Sequence, residues 1–314
     1  MSRQILKTVT RTQGVNAAVT DGTVLPVGFE FGFVDVPVLA QAFRRMVRTL
    51  EFDVCEMALT TYLCAREHNI RFTALPIFLV RAFHHGAIVC NTNKCVREPK
   101  DLEGQRVGVN RGYTVTTGVW ARSVLQDEYG VNLSKITWVL SGDEHVEAYE
   151  PPPNVMSIES GETIEGMLGT GEIAAAVNIP TDNTEFQPLI TNPQDKGIAA
   201  FRRDGHYPIN HLVVVRDDVL DAFPDVAVSV FNAFAAAKHM YLEKLGEGLI
   251  NQPTSADKLY ARMLEMGSDP LPYGVEPNRG GLESLVAHAT TQQILRKPVE
   301  IESLFVPSTL ELIA

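Results

Sequence analysis

The chain has 314 residues, long enough for two packed domains. With 45% hydrophobic and 21% charged residues it is globular in composition, which excludes disordered, fibrous and membrane-spanning classes. Its net charge of −11 excludes nucleic acid and anionic membranes as partners, and any site for an anionic ligand must gather cations locally against that field.

The N-terminal stretch MSRQILKTVTRTQG lacks an apolar run of signal-peptide length, and no later run is long enough to span a bilayer. A cytoplasmic protein is therefore expected. ILKTVT near residue 5 and FEFGFVDV near residue 29 read as strands. LAQAFRRMVRTL (39–50) has apolar residues at helical spacing, with arginines on the other face. FDVCEMAL then reads as a strand, TTYLCAREH as a helix and FTALPIFLV as a strand.

The next run, LVRAFHHGAIVC (79–90), sets Arg81, His84 and His85 inside a buried-strand pattern, where polar groups need partners. Strand alternation puts Arg81, Phe83 and His85 on one face and His84 on the other. The cysteines (Cys55, Cys64, Cys90, Cys95) are too few for a disulfide framework and lack zinc spacing, so free thiols are expected.

At Pro99 the character changes. PKDLEGQRVGVN reads as a turn and a short buried strand, and TVTTGVWARSVLQDEYG as a helix of about four turns. ITWVL reads as a strand, ETIEGMLGTGEI as a helix ending at glycine, and AAAVN and PINHLVVVR as strands. From residue 217 the pattern is helical. Strands alternating with helices predict an α/β architecture. Breaks at 96–101 and 205–211 predict an inserted lobe: residues 1–97 with 208–314 form one discontinuous lobe, including the C-terminal helices, and residues 98–207 the other. A cleft between lobes joined by two crossings favours a small ligand, and it would bring the 81–90 run near His211.

The runs FRRMVRTLEFDVCEMALTTYL, LVRAFHHGAI, PKDLEGQRVGVNRGYTVTTGVWARSVL, WVLSGDEHVEAY and YPINHLVVVR occur in one order between about residues 28 and 216. Together they resemble the 4,5-dihydroxyphthalate decarboxylases. The resemblance implies a two-lobed fold of the type II periplasmic-binding-protein kind, used as a cytoplasmic carboxy-lyase. It implies decarboxylation of 4,5-dihydroxyphthalate to protocatechuate in phthalate catabolism. The family's Arg-Ser-Phe-Arg-His-Ser run reads Arg81-Ala82-Phe83-His84-His85-Gly86 here, so Arg81 and His85 match and His84 does not. The 110–114 loop also departs from the family's acidic-aromatic version, which bears on substrate choice.

Such a reaction needs a proton donor over the ring carbon, an acceptor for a catechol proton and cations for the carboxylate that stays. On the motif match, His85 is the expected donor; without it, a core histidine bonded to backbone is the competing reading. Arg81 offers a bidentate carboxylate fork, or an ion pair with an acid such as Glu56. Phe83 offers a wall for the ring. In RGYTVTTG (111–118), Thr114, Thr116 and Thr117 lie in an expected first helical turn that can bind an anion, with Arg111 and Tyr113 adding a guanidinium and an aromatic wall. The alternative is that Thr114 only caps the helix while Arg111 faces solvent.

Glu56 either accepts the catechol proton, orients a histidine, or serves as a cap or ion-pair partner. His211 either contacts the catechol oxygens or is structural. His145 reads as part of a solvated loop, and Arg202, Arg203 and His206 as a solvated basic face. His84 and His85 point apart on a strand and HExxH spacing is absent, so a reaction without metal or other cofactor is expected, although Glu56, His85 and His211 leave a divalent metal site open. The expected partner is a small aromatic dicarboxylate. The expected assembly is a homo-oligomer, a dimer, with the helical tail either as its face or as cover for one lobe. Two rival functions remain at this level: a non-catalytic aromatic-acid binding protein, and another carbon–carbon lyase on the same scaffold.

Overall fold

The computed structural model describes residues 3–94, 96–179, 184–205 and 207–314. In chain order, β1 (Gln4–Val9) and the short helix α1 (Ala17–Thr20) lead into β2 (Phe29–Phe33), α2 (Leu39–Thr49), β3 (Val54–Ala58), α3 (Leu59–Glu67) and β4 (Phe72–Arg81). Then follow β5 (Ile88–Asn91), β6 (Arg106–Val109), α4 (Thr116–Tyr129), β7 (Thr137–Leu140), β8 (Val155–Ser157), α5 (Ile164–Thr170), β9 (Ala175–Val177), β10 (Phe186–Pro188) and α6 (Pro193–Asp204). The chain returns through β11 (Ile209–Arg216) and closes with α7 (Asp217–Ala222), α8 (Val226–Gly246), α9 (Ser255–Glu265) and α10 (Arg279–Thr291).

Two sheets result. The first has the order β2-β1-β3-β11-β4, and the second β10-β5-β9-β6-β7-β8. β1, β2 and β3 run parallel, while β11 returns antiparallel between β3 and β4. In the second sheet β6, β7, β8 and β9 are parallel, and β5 is antiparallel to β9 and β10. The buried pattern of β3 and β4 fits strands covered on both faces. One apolar core runs from the first sheet into the second, from Leu6 and Phe78 through Trp120 to Trp138. A smaller core of Val89, Val139, Ile164, Met167 and Leu168 lies under α5.

The first crossing differs from the sequence expectation. β4 ends at Arg81, a 3-10 turn occupies His85–Ala87, and Ile88–Asn91 is already a strand of the second sheet. The crossing therefore falls at 82–87, ahead of the expected boundary at 97. An apolar run cannot report that its two ends pair in different sheets. β8, β10 and α6 were not anticipated either; the two strands are only three residues each.

Cys55 and Cys64 are buried free thiols. Cys90 is disulfide-bonded, against the free thiol expected, and Cys95 and His206 lie outside the described residues. Among the described residues no helix is long and apolar enough to cross a membrane.

Candidate active site

The cleft collects residues from the carboxyl ends of parallel strands, where open α/β sheets bind ligands. Arg11 follows β1, Arg111 follows β6, His145 lies beyond β7 and Asn178 follows β9. With Phe43, Thr61, Thr116, Thr117, Asn210 and His211 these residues line a cavity of about 220 Å³. Two of them, Arg111 (φ 75°) and Asn178 (φ 62°), have left-handed backbone. That conformation costs a non-glycine residue about 1 kcal/mol or more and concentrates at functional sites.

At the floor, β3 and β11 pair antiparallel, with His211 opposite Ala58 and Val213 opposite Glu56. Glu56 and His211 are thus diagonal neighbours on one face. The register of β11 against β4 slips between Ile209 and His211 and again up to Val213. Such bulges re-aim side chains beside sites. Pro76 lies in β4, an edge strand, where the missing N–H costs no ladder bond.

Glu56 is 1% exposed and fully hydrogen-bonded. It accepts from Thr10 Oγ at 2.7 Å and from the Arg11 N–H at 2.9 Å, and pairs with His211 Nδ1 at 2.7 Å. Burial pushes its carboxyl up, but His211, Thr10 and the Arg11 amide outweigh this and hold it below the usual carboxylate range. An ionised Glu56 fixes the His211 tautomer by taking Nδ1–H, which leaves Nε2 as the ring nitrogen outside that pair. Asn16, fully buried, braces the Arg11 loop by donating to Thr10 Oγ (3.1 Å) and Arg11 O (3.0 Å).

The Phe43 ring meets both histidines edge-on, His211 at 5.2 Å and His145 at 6.1 Å between centroids. His145 is 7% exposed, so the expected solvated loop is not what forms. Its Nδ1 meets Thr61 Oγ at 3.2 Å. Burial first, and then the Arg44 and Arg111 cations, bring its pKa down to about 4, so the ring is neutral. No side chain caps α4, so its free N–H groups and positive dipole end sit beside Thr116 and Thr117 at the cleft. Thr60 of α3 and Asn210 of β11 bond these hydroxyls, at 3.1 Å to Thr116 Oγ and 3.2 Å to Thr117 Oγ.

Of the residues singled out from sequence, His211, Arg111, Thr116 and Thr117 line this cleft, and Glu56 lies buried behind it, paired with His211. Others do not. Arg81 is buried, donating to Tyr207 O at 2.9 Å, Pro272 O at 2.8 Å and Asn278 Oδ1 at 2.5 Å. These contacts place its fork away from the cleft; it ties the crossing to the C-terminal region. His85 Nε2 lies 3.1 Å from both oxygens of Glu128. With Phe83 it lines a separate cavity of about 680 Å³ bounded by α4 and α6. The strand alternation that gave Arg81, Phe83 and His85 a common face stops where β4 does. His84 is fully buried against Trp120.

The helix begins at Thr116 rather than Thr114. Thr114 instead donates its hydroxyl to Glu144 at 2.6 Å, and the N–H groups of Tyr113 and Thr114 bond the same carboxylate. The Tyr113 ring is buried 3.8 Å from the Arg122 guanidinium. Arg203 pairs with Glu128 and Asp204, and Arg202 contacts the Met266 sulfur. Among the described residues no three His, Cys, Asp or Glu side chains form a metal-ligand set, so Glu56, His85 and His211 do not converge.

Arg11, His145, Asn178 and Asn210 were not anticipated as site residues. Their signal is positional, the carboxyl end of a strand, and it becomes legible only once the strand order is known.

The architecture is that of the periplasmic-binding-protein class. The periplasmic aliphatic sulphonate binding protein SsuA from Escherichia coli superposes with a TM-score of 0.56 at 10% identity, covering 99% of this chain and 100% of that one. The desulfurization enzyme DSZB superposes with a TM-score of 0.53 at 13% identity, covering 98% of each. No protein-family model matches the chain. By sequence, the chain is similar to 4,5-dihydroxyphthalate decarboxylases: that of Comamonas testosteroni is 27% identical over 288 residues, covering 86% of this chain and 87% of the relative. That of Pseudomonas putida is 30% identical over 161 residues, 48% of this chain and 62% of the relative.

Proposed function

We propose that the chain is a carboxy-lyase that converts 4,5-dihydroxyphthalate to protocatechuate and CO2. It acts in the cytoplasm, as a homodimer. The supporting observation is that one cleft joins two guanidinium groups, a carboxylate-bound histidine and a neutral histidine. A dianion that also carries two hydroxyls asks for that set of groups. Both a binding protein and an enzyme share the fold, so the site and the relatives carry the reading.

In the proposed mechanism Arg11, Arg111 and the first turn of α4 hold the carboxylates. His145 Nε2 accepts the proton of the hydroxyl para to the departing carboxylate, and the phenolate pushes an electron pair to the ring carbon. His211, as imidazolium held by Glu56, delivers its Nε2 proton to that carbon, which becomes tetrahedral. The carbon–carboxylate bond then breaks, CO2 leaves, and its electron pair restores the ring as the phenolate. His145 returns the proton to the phenolate, and His211 regains one from solvent. One proton is consumed per turnover, and side chains alone move it.

Purified protein incubated with 4,5-dihydroxyphthalate is expected to release CO2 and protocatechuate in equal amounts. Tight binding without turnover would overturn the lyase reading in favour of a binding protein. Turnover of another hydroxylated benzoate, but not of this one, would overturn the substrate.

A further inference from the structure

One loop of the second lobe serves the cleft twice. It carries His145 directly, and through the Glu144 carboxylate it bonds the N–H groups of Tyr113 and Thr114, next to Arg111. That loop is held from the first lobe by α2. Arg48 donates from Nη2 to Glu144 O at 3.0 Å and from Nε to His145 O at 3.3 Å. It also pairs with Asp143 at 3.0 Å and Glu147 at 2.8 Å, and Arg44 pairs with Asp143 at 2.6 Å.

These contacts differ in kind. The carboxylates of Asp143 and Glu147 are 61% and 71% exposed, and ion pairs in that setting contribute little. The two carbonyls belong to successive residues, one bearing the cleft histidine and the other the carboxylate that fixes the Arg111 loop. A planar guanidinium reaches both at once; a lysine ammonium cannot.

We propose that Arg48 is a positioning residue for the reaction: its fork holds the Glu144 and His145 carbonyls, setting His145 directly and Arg111 through Glu144. This rests on the cleft being the reaction site. Because α2 belongs to the first lobe, the grip also makes placement of both groups depend on the lobes being together.

The test compares three variants by steady-state kinetics with 4,5-dihydroxyphthalate, and by the NMR titration of the His145 ring. Arg48→Ala is expected to lower kcat/KM about 10- to 100-fold, through both kcat and KM, and Arg48→Lys to recover less than about threefold of that. Asp143→Asn combined with Glu147→Gln removes the ionic partners but keeps the carbonyls, and is expected to stay within about threefold of wild type. The His145 resonance should titrate closer to the ordinary histidine range in Arg48→Ala and stay depressed in the double variant. Activity of Arg48→Ala within threefold of wild type would overturn the inference, as would a double variant as impaired as Arg48→Ala. If wild type shows no turnover, the decarboxylase reading fails. The His145 titration then decides the positioning role by itself.

Discussion

At the scale of single residues, the proposed chemistry depends on His211 keeping Nε2 towards the cleft, and Glu56 achieves this by occupying Nδ1 at 2.7 Å. His211→Gln removes the proton donor but leaves an amide of similar reach. It should lower kcat by about two to four orders of magnitude with a much smaller change in substrate affinity, measured by single-turnover kinetics and calorimetry. Equal losses in both would make His211 a binding group instead. Two other histidines make a separate prediction. Burial, with His85 beside it, brings the His84 pKa down to about 3, and burial with Arg44 and Arg111 brings His145 down to about 4. Both are neutral in the native state and protonate near 6.5 once unfolded, so the unfolded chain binds more protons below that pH. Their contribution is complete above about pH 6.5 and falls with pH by up to about 1.4 kcal/mol per unit for each ring, until the native pKa is reached. Denaturant melts from pH 7.5 to 4.5 should show this slope, and His84→Gln should reduce it by about half; an unchanged slope would mean that His84 is charged or hydrated in the fold.

At the scale of elements, most of the strand and helix order was legible, because each element keeps its own hydrophobic period from β1 through α4. Glu56 and His211 were legible as polar residues in otherwise apolar strands. The run 79–90 misleads for a physical reason: its apolar residues belong to two strands in two sheets, so alternation does not carry from Arg81 to His85 across the turn. Arg11 and His145 were hidden for a different reason, since a polar residue in a loop carries no local mark of the strand end it follows. Phe83 shows what the turn does instead of lining the cleft. It packs flush on α6, where a Cβ added to Gly197 would lie 2.4 Å from its ring. The nearby Phe83 Cβ, at 2.5 Å, cannot swing aside as the tip of a flexible chain would. Gly197→Ala should therefore cost about 1–3 kcal/mol of stability in urea melts. Affinity for the substrate should change little, because α6 faces the other cavity. A variant of wild-type stability would mean that α6 shifts freely over the crossing.

At the scale of the whole molecule, the proposed function asks a chain of net charge −11 to admit a dianion. Two effects of salt oppose each other. The repulsion between the chain and an approaching dianion acts over distance, and it is screened as the Debye length contracts from about 30 Å at 0.01 M to about 10 Å at 0.1 M. The proposed contacts from Arg11 and Arg111 to substrate carboxylates would act over a few ångströms in a partly enclosed cleft, where salt screens less. The long-range effect should win at low ionic strength, so kcat/KM is expected to rise between about 0.01 and 0.1 M salt and to flatten beyond. Arg111→Gln should raise KM about 10-fold or more by removing a charge-assisted pair, yet keep the same upward salt trend, because the global field hardly changes. A steep fall of kcat/KM with salt in the wild type would reverse the conclusion. It would mean that the cleft cations, Arg11 and Arg111 with Arg44 and Arg48 behind them, dominate the field that an approaching substrate meets.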